Sequence, residues 1–453
     1  MSRDISENYE MSFKDAQGYD VGMSDQSCNL RGKKIVLTTF GSLGDLHPFI
    51  ALGIELKRRG HRPVIATHEP YREKIEGEGI AFAPVRPDLA AAEERPEFMR
   101  KVMDLRRGPE FVVREIVMPN LRASYEDILA AAEGADLLVT HTLTFVSPVI
   151  AEKMGIPWAA VALSPLVFFS ALDPSVLAPM PHLNRLRVLG PGVYAALLRA
   201  GQKSVRSWSE PVRELRRELG LRKPAADPLF TGQFSPHLNL ALFSHVFGEP
   251  QKDWPAKTVI CGFAFHDRQG AGSGLPEELE SYLSEGEPPI VFTLGSAAVM
   301  DAGLFFVESA KAAASLGRRA VLLIGRDPRN RLNSLPAGVQ AFEYAPFSEL
   351  FPRAAVNVHQ GGVGTTGQAL RAGKPMLVMP YSHDQPDNAY RIQRLGVGRA
   401  IPRVKYNAKS AAREINRLLT DRSCAERAAE VGREVRKEDG AATACDALES
   451  LLN

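Results

Sequence analysis

His359-Gln360-Gly361-Gly362-Val363-Gly364-Thr365-Thr366 is the stretch on which the reading of this chain turns. Its glycines allow backbone N–H groups to come close to an anion. The run that follows, Gly367-Gln368-Ala369-Leu370-Arg371-Ala372-Gly373, reads as a helix whose first turn adds the positive end of a dipole. An imidazole and two hydroxyls bring further donors to the same turn. Such a turn suits a phosphate or a diphosphate. No Lys follows the glycines, so it is not the P-loop of nucleoside triphosphatases, and the usual dinucleotide spacing does not fit either. An ordinary glycine-rich loop accounts for the glycines. It does not account for the His, the Thr pair and the later Asp384-Gln385-Pro386-Asp387-Asn388 arriving together.

Outward from that stretch, short apolar runs alternate with amphipathic ones. The runs 289–294, 320–324, 339–342, 355–358 and 375–379 form one series, and 34–39, 62–67, 135–140 and 158–163 form another. Buried apolar strands separated by helices argue for parallel sheets covered on both faces. The chain is also too long for one ordinary core. The expectation is therefore an α/β protein of two doubly wound, Rossmann-like domains facing a central cleft. Residues 1–31, polar and Ser/Asp-rich, read as a disordered leader. The N-terminal domain takes 32–264, a Gly/Pro/Ser/Glu-rich linker 265–288, and the C-terminal domain 289–453, with the last helix free to cross back. Pro48 to Arg59 reads as the first helix.

Hydrophobic residues make up 45% of the chain and charged ones 24%, as in ordinary globular proteins, and the net charge of +2 marks no nucleic-acid binder. Cys28, Cys261, Cys424 and Cys445 are scattered without zinc or redox spacing and read as reduced, cytoplasmic thiols. The uncharged stretch 154–172 approaches membrane-spanning length, but Pro157 and Pro165 break it. A strand followed by a lining loop is the reading, with no stable membrane insertion and a monomer or weak dimer.

Val356 to Asn388 resembles the C-terminal signature of family 1 glycosyltransferases, the nucleotide-sugar enzymes of the glycosyltransferase B fold. The resemblance independently implies the two-domain architecture, with the acceptor on the N-terminal domain and the nucleotide sugar on the C-terminal one. It implies that His359, Gly361, Gly362, Gly364 and Thr365 hold the diphosphate and that Asp384 and Gln385 bind sugar hydroxyls. Ser296, after the first strand of the second series, matches the Ser that relatives place near the diphosphate. Tyr344 and Ala345 match the segment that holds the nucleobase, although Phe347 stands where Gln is usual. No acidic triplet of the metal-binding kind sits at a strand end, so neither a metal nor another cofactor is expected beyond the UDP-sugar co-substrate.

Gly41-Ser42-Leu43-Gly44-Asp45-Leu46-His47-Pro48 lies between the first strand and the first helix, where a doubly wound sheet faces its cleft. The turn is similar to that of family members acting on sterols, glycopeptides and lipid hydroxy acids. Many relatives carry a catalytic His three residues before this proline, and here the position is Asp45. A catalytic role and simple capping of a helix starting near Pro48 are both open. His47 is a second candidate base. His141, ending a strand, falls where plant relatives place the Asp that orients their His, so a swapped Asp45–His141 dyad is a third arrangement. On the acceptor side Leu166, Phe168, Phe169 and Met180 are expected to line an apolar pocket. The expectation is an inverting, metal-independent transferase moving glucose from UDP-glucose to the hydroxyl of a phenol, flavonoid, terpenoid or sterol. A dTDP-rhamnose-dependent enzyme making a glycolipid and a non-catalytic nucleotide-sugar binder are the alternatives.

Overall fold

The computed structural model describes residues 32–93, 95–222, 226–267 and 274–453. The expected leader and Cys28 lie outside them. Two parallel sheets dominate. The first holds β1 (Lys34–Thr38), β2 (Arg62–Thr67), β3 (Ala81–Pro84), β4 (Leu137–His141), β5 (Trp158–Ala162), β6 (Leu238–Ala241) and β7 (Thr258–Ile260), in the order β3-β2-β1-β4-β5-β6-β7. The second holds β8 (Ile290–Thr293), β9 (Ala320–Leu323), β10 (Val339–Phe342), β11 (Val356–His359), β12 (Met376–Val378) and β13 (Gly398–Ala400), in the order β10-β9-β8-β11-β12-β13. β1, β4, β5, β8 and β9 are almost wholly buried, which is why they read as continuous apolar runs.

Both sheets reverse their strand order once, between β1 and β4 in the first and between β8 and β11 in the second. Loops leaving the C-terminal ends of those neighbours diverge and leave a crevice there. Thr38 pairs with Thr140 and Val358 with Phe292, so each pair of strand ends is adjacent.

Five helices position the site: α1 (Leu43–Arg58), α2 (Val363–Ala372), α3 (Gln385–Leu395), α4 (Arg422–Lys437) and α5 (Gly440–Leu452). Helix α1 begins five residues before the expected Pro48. Ser42 caps it, accepting from the Gly44 N–H at 3.2 Å, and Asp45 returns the bond from the third helical position. Pro48 sits inside the helix as its sixth residue, where the bond its N–H would have made to the Gly44 carbonyl is missing. Helix α2 likewise starts at Val363 rather than Gly367, so part of the glycine turn is already helical. Residues 277–284 of the expected linker form a helix.

The chain crosses back at its end. In α5, Ala444, Cys445 and Leu448 are fully buried in the same apolar cluster as Phe49, Ile50 and Leu52 of α1. Arg59 bridges Asp446 and Glu449 at 2.5 and 2.7 Å. A second crossing is made by Met99 and Met103, which lie in the C-terminal domain's core beside Leu294, Val299 and Tyr381. The third is polar and buried. Arg391 of α3, 1% exposed, holds Asp387 at 2.8 Å and reaches across to Asp173 at 2.6 Å, while the Val176 N–H donates to Asp387.

Among the described residues no helix is long and apolar enough to cross a membrane, and no cluster of His, Cys, Asp and Glu could hold a metal ion. Cys261, Cys424 and Cys445 are free and buried.

Candidate active site

His359 is the last residue of β11 and is fully buried. Its Nδ1 accepts from the Gly361 N–H at 3.0 Å, and burial pushes its pKa down to about 3. The ring is therefore neutral, with its proton on Nε2. That Nε2 is buried and has no protein partner. A single N–H donor is thus fixed in tautomer and orientation beside the start of α2.

Gly362 precedes α2 without a side-chain cap, leaving the first N–H groups of the helix for another partner. Gly361 has φ +89°, and a Cβ there would meet Val378 Cγ1 at 2.6 Å, so no other residue fits. A Cβ on Gly364 would meet nothing within 4 Å: open space lies beside the second helical N–H. Thr366 adds a buried hydroxyl without a partner. Thr365 is within 3.4 Å of the Gln360 amide. Ser296 lies exposed in the short helical turn Gly295–Ala298 after β8, next to Gly295, whose φ of +63° brings its backbone against Gln360. Neutral donors, an uncapped helix and open space together make an anion cradle.

Asp384 and Gln385 follow β12. The side chain of Asn388 ties them to the cradle by donating to the Gly361 carbonyl at 2.8 Å and to Asp384 Oδ2 at 2.7 Å. Burial raises the Asp384 pKa to about 7, and the charges of Asp45 and Asp387 add to the rise while the Asn388 bond opposes it. Gln385 turns its carbonyl oxygen to the Tyr381 N–H at 2.9 Å, leaving its NH₂ for a ligand. His383 has a left-handed backbone (φ +57°), and its Nε2–H donates to the Val102 carbonyl of the N-terminal domain at 2.9 Å. Ser382 bonds the Asp104 carbonyl beside it. Tyr344 donates its hydroxyl to the Asp267 carbonyl, and Ala345 is fully buried next to it.

Across the cleft, at the other switch point, Asp45 Oδ1 lies 3.6 Å from His141 Nε2. Asp45 Oδ2 accepts from the Ser42 N–H at 2.8 Å and its hydroxyl at 3.2 Å. The Asp45 side chain is 32% exposed and that of His141 only 5%. Burial lowers the His141 pKa, against the opposing pull of Asp45 and the Phe40 carbonyl, so this ring is neutral too. Capping and pairing with His141 are thus compatible roles for one carboxylate. His47 is not part of the pair. Two residues along α1 from Asp45, it falls on the opposite face, edge-on to His266 at 5.5 Å, and burial lowers its pKa to about 3.

Of the expected acceptor residues, Phe168 is core, packed against Trp254, Phe234 and Phe243 at 4.4, 5.4 and 6.2 Å. Leu166 is half-buried, Phe169 meets Phe230 edge-on at 5.2 Å, and Met180 is half exposed. The sequence reading missed His68, whose Nε2 accepts from the Gly41 N–H at 3.4 Å and whose Nδ1 bonds the Pro87 carbonyl at 2.9 Å, fixing the turn before Asp45.

Residues 35–168 match the Glycosyltransferase family 28 N-terminal domain, and residues 309–451 match the Erythromycin biosynthesis protein CIII-like C-terminal domain. The chain is 32% identical over 428 residues to the O-mycaminosyltylonolide 6-deoxyallosyltransferase of Streptomyces fradiae, covering 92% of this chain and 97% of that one. This chain belongs to the family 1 glycosyltransferases. It is an enzyme of the bacterial natural-product branch. Another relative of this glycosyltransferase is the sterol 3-beta-glucosyltransferase of Cryptococcus neoformans, 29% identical over 92% of this chain, which spans only 27% of that longer protein. The crystal structure of the calicheamicin glycosyltransferase CalG4 matches its fold with a TM-score of 0.69 at 19% identity, over 93% of this chain and 98% of that one.

Proposed function

We propose that the enzyme transfers a hexose, with inversion, from a nucleoside-diphosphate sugar to a hydroxyl of an apolar small molecule. The observation that carries this reading is the Asp45–His141 pair at 3.6 Å at one switch point, facing the His359 cradle at the other. Asp45 is the more accessible of the two and serves as the proton acceptor. As the acceptor oxygen bonds to the sugar C1, its proton passes to the Asp45 carboxylate. The C1–O bond to the diphosphate breaks on the opposite face, and its electron pair leaves with the phosphate. The new negative charge meets the α2 N–H groups and the His359 Nε2–H, donors already in place before reaction. Neutral His141 holds Asp45, and Asp384 with Gln385 binds the sugar hydroxyls. The step needs no metal.

UDP-glucose is the first reading for the donor. A dTDP-6-deoxyhexose is the second, favoured by the name of the Streptomyces fradiae relative, a deoxyallosyltransferase aligned along nearly its whole length. The two named relatives make a macrolide-type or sterol hydroxyl the first acceptors to test. A ligand that binds only the native state raises its melting temperature, so UDP, UDP-glucose, dTDP and dTDP-rhamnose are compared by thermal shift. Turnover with the best donor is then measured on phenols, macrolides and sterols, with and without a chelator. A shift with dTDP but not UDP replaces the first donor with the second. No shift with any nucleotide, or activity lost to the chelator, overturns the reading.

A further inference from the structure

Ten large apolar side chains are markedly exposed among the described residues, and six of them fall within one short part of the chain: Leu172, Met180, Leu186, Val188, Leu189 and Val193. Val188 and Leu189 are 83% and 56% exposed. Scattered exposed apolar residues need no explanation, but a contiguous group does. The same stretch is unusual in charge. Acidic and basic residues are nearly equal over the chain, 53 against 55, yet no Asp or Glu occurs between Asp173 and Glu210. Arg185, Arg187, Arg199, Lys203 and Arg206 all lie there and all are exposed. None of the five side chains is in an ion pair among the described residues; that of Arg187 lies over the Tyr390 ring at 5.4 Å. In the helix Pro191–Ser204, Tyr194 and Leu198 face inward, and Val193, Arg199 and Lys203 share the outer face.

Exposed aliphatic tips among unpaired cations, in a run without Asp or Glu, match the surface of an anionic bilayer: the tips enter the headgroup boundary and the cations meet lipid phosphates. A second copy of this face would set cation against cation. We propose that residues 180–206 dock the enzyme on an anionic membrane surface, lying on it without spanning it. The surface is built on the segment that grips α3. The Asn184 amide donates to the Pro174 carbonyl and the Tyr194 hydroxyl to that of Ser175, next to the Asp173–Arg391 bridge. Docking therefore holds the α3 side of the cleft against the lipid. This inference is independent of which donor or acceptor the enzyme uses.

The test is flotation of the full chain with phosphatidylcholine vesicles, with and without phosphatidylglycerol. Binding is expected only with phosphatidylglycerol and is expected to fade at high salt. Arg185→Glu with Lys203→Glu should weaken it at least about tenfold, since each cation near such a surface contributes appreciably. Val188→Asp with Leu189→Asp should weaken it similarly, and with both residues exposed the melting temperature should hold. Absence of wild-type binding, or binding untouched by both double variants, overturns the proposal. So does size-exclusion chromatography with light scattering if the wild type is a dimer that the Val188/Leu189 variant breaks, because the face is then an interface between copies.

Discussion

Asp45→Asn separates the two roles that one carboxylate holds. As a capping group, Asp45 accepts from Ser42 at 2.8 and 3.2 Å. An Asn oxygen can keep one of those bonds, so the loss is mainly that of a negative charge at a helix N-terminus, about 0.3–1 kcal/mol. As a proton acceptor it has no equal within reach, because His141 is only 5% exposed and burial weakens it as a base, while His47 is on the far face of α1. Removing a general base lowers turnover by about a hundredfold to ten-thousandfold, or roughly 3–5 kcal/mol in the barrier. The catalytic loss should therefore exceed the stability loss several times over. It should also depend on the acceptor. An alkyl alcohol needs its proton removed in the transition state, whereas a nitrophenol arrives largely ionised. Turnover of the variant on both acceptors, with melting temperatures alongside, gives the answer. A small, equal loss on both acceptors refutes Asp45 as the base. A selective loss on alcohols in His141→Ala, with a mild uniform one in Asp45→Asn, transfers the role to His141.

His359→Ala removes the preset Nε2–H donor and should lower kcat with the best donor sugar by about a hundredfold or more; near-normal turnover of a folded variant overturns the assignment. Asp384 keeps its proton up to about pH 7 when folded but loses it near the ordinary carboxylate value when unfolded, so its cost to stability grows as pH rises through that window and levels off above it. Asp384→Asn should accordingly stabilise the free enzyme by up to about 4 kcal/mol at pH 8 and by little at pH 4, read from melting temperatures across that range. Arg391→Met leaves Asp387 buried without its cation, while Asp173 keeps Arg394 at 2.5 Å, and should cost about 3–5 kcal/mol by denaturant unfolding; a loss within error of zero would show that the bridge holds nothing.

The parts of this enzyme that were legible in its sequence are those whose physics is local. The His359 turn concentrates its donors in eight consecutive residues, and the buried strands β1, β4, β5, β8 and β9 betray themselves by unbroken apolar runs. The start of α1 was also written locally, in the spacing of Ser42 and Asp45, but Pro48 gave the louder signal and placed the boundary too late. The strands β3, β7 and β13 are only partly buried and Asn239 interrupts β6, so none of the four shows an unbroken apolar run. The least legible features join residues far apart. Arg391 and Asp173 are 218 positions apart, and His383 meets Val102 across 281. Nothing in either neighbourhood names its partner, since an Arg within a helix or a His just before one is usually a solvated residue. Those remote contacts nevertheless set the chemistry. Burial between the two domains is what raises the Asp384 pKa, the charge of Asp45 from the other domain adds to it, and Asp45 is held beside His141 only where two strand ends meet. The motif thus announces what each half can bind, while the reactivity of the cleft arises only when the halves are brought together. Substitutions at the Arg391 bridge should therefore disturb the pH dependence of Asp384 as well as stability, read from melting temperatures across pH, because Arg391 pairs with Asp387, whose charge Asp384 feels.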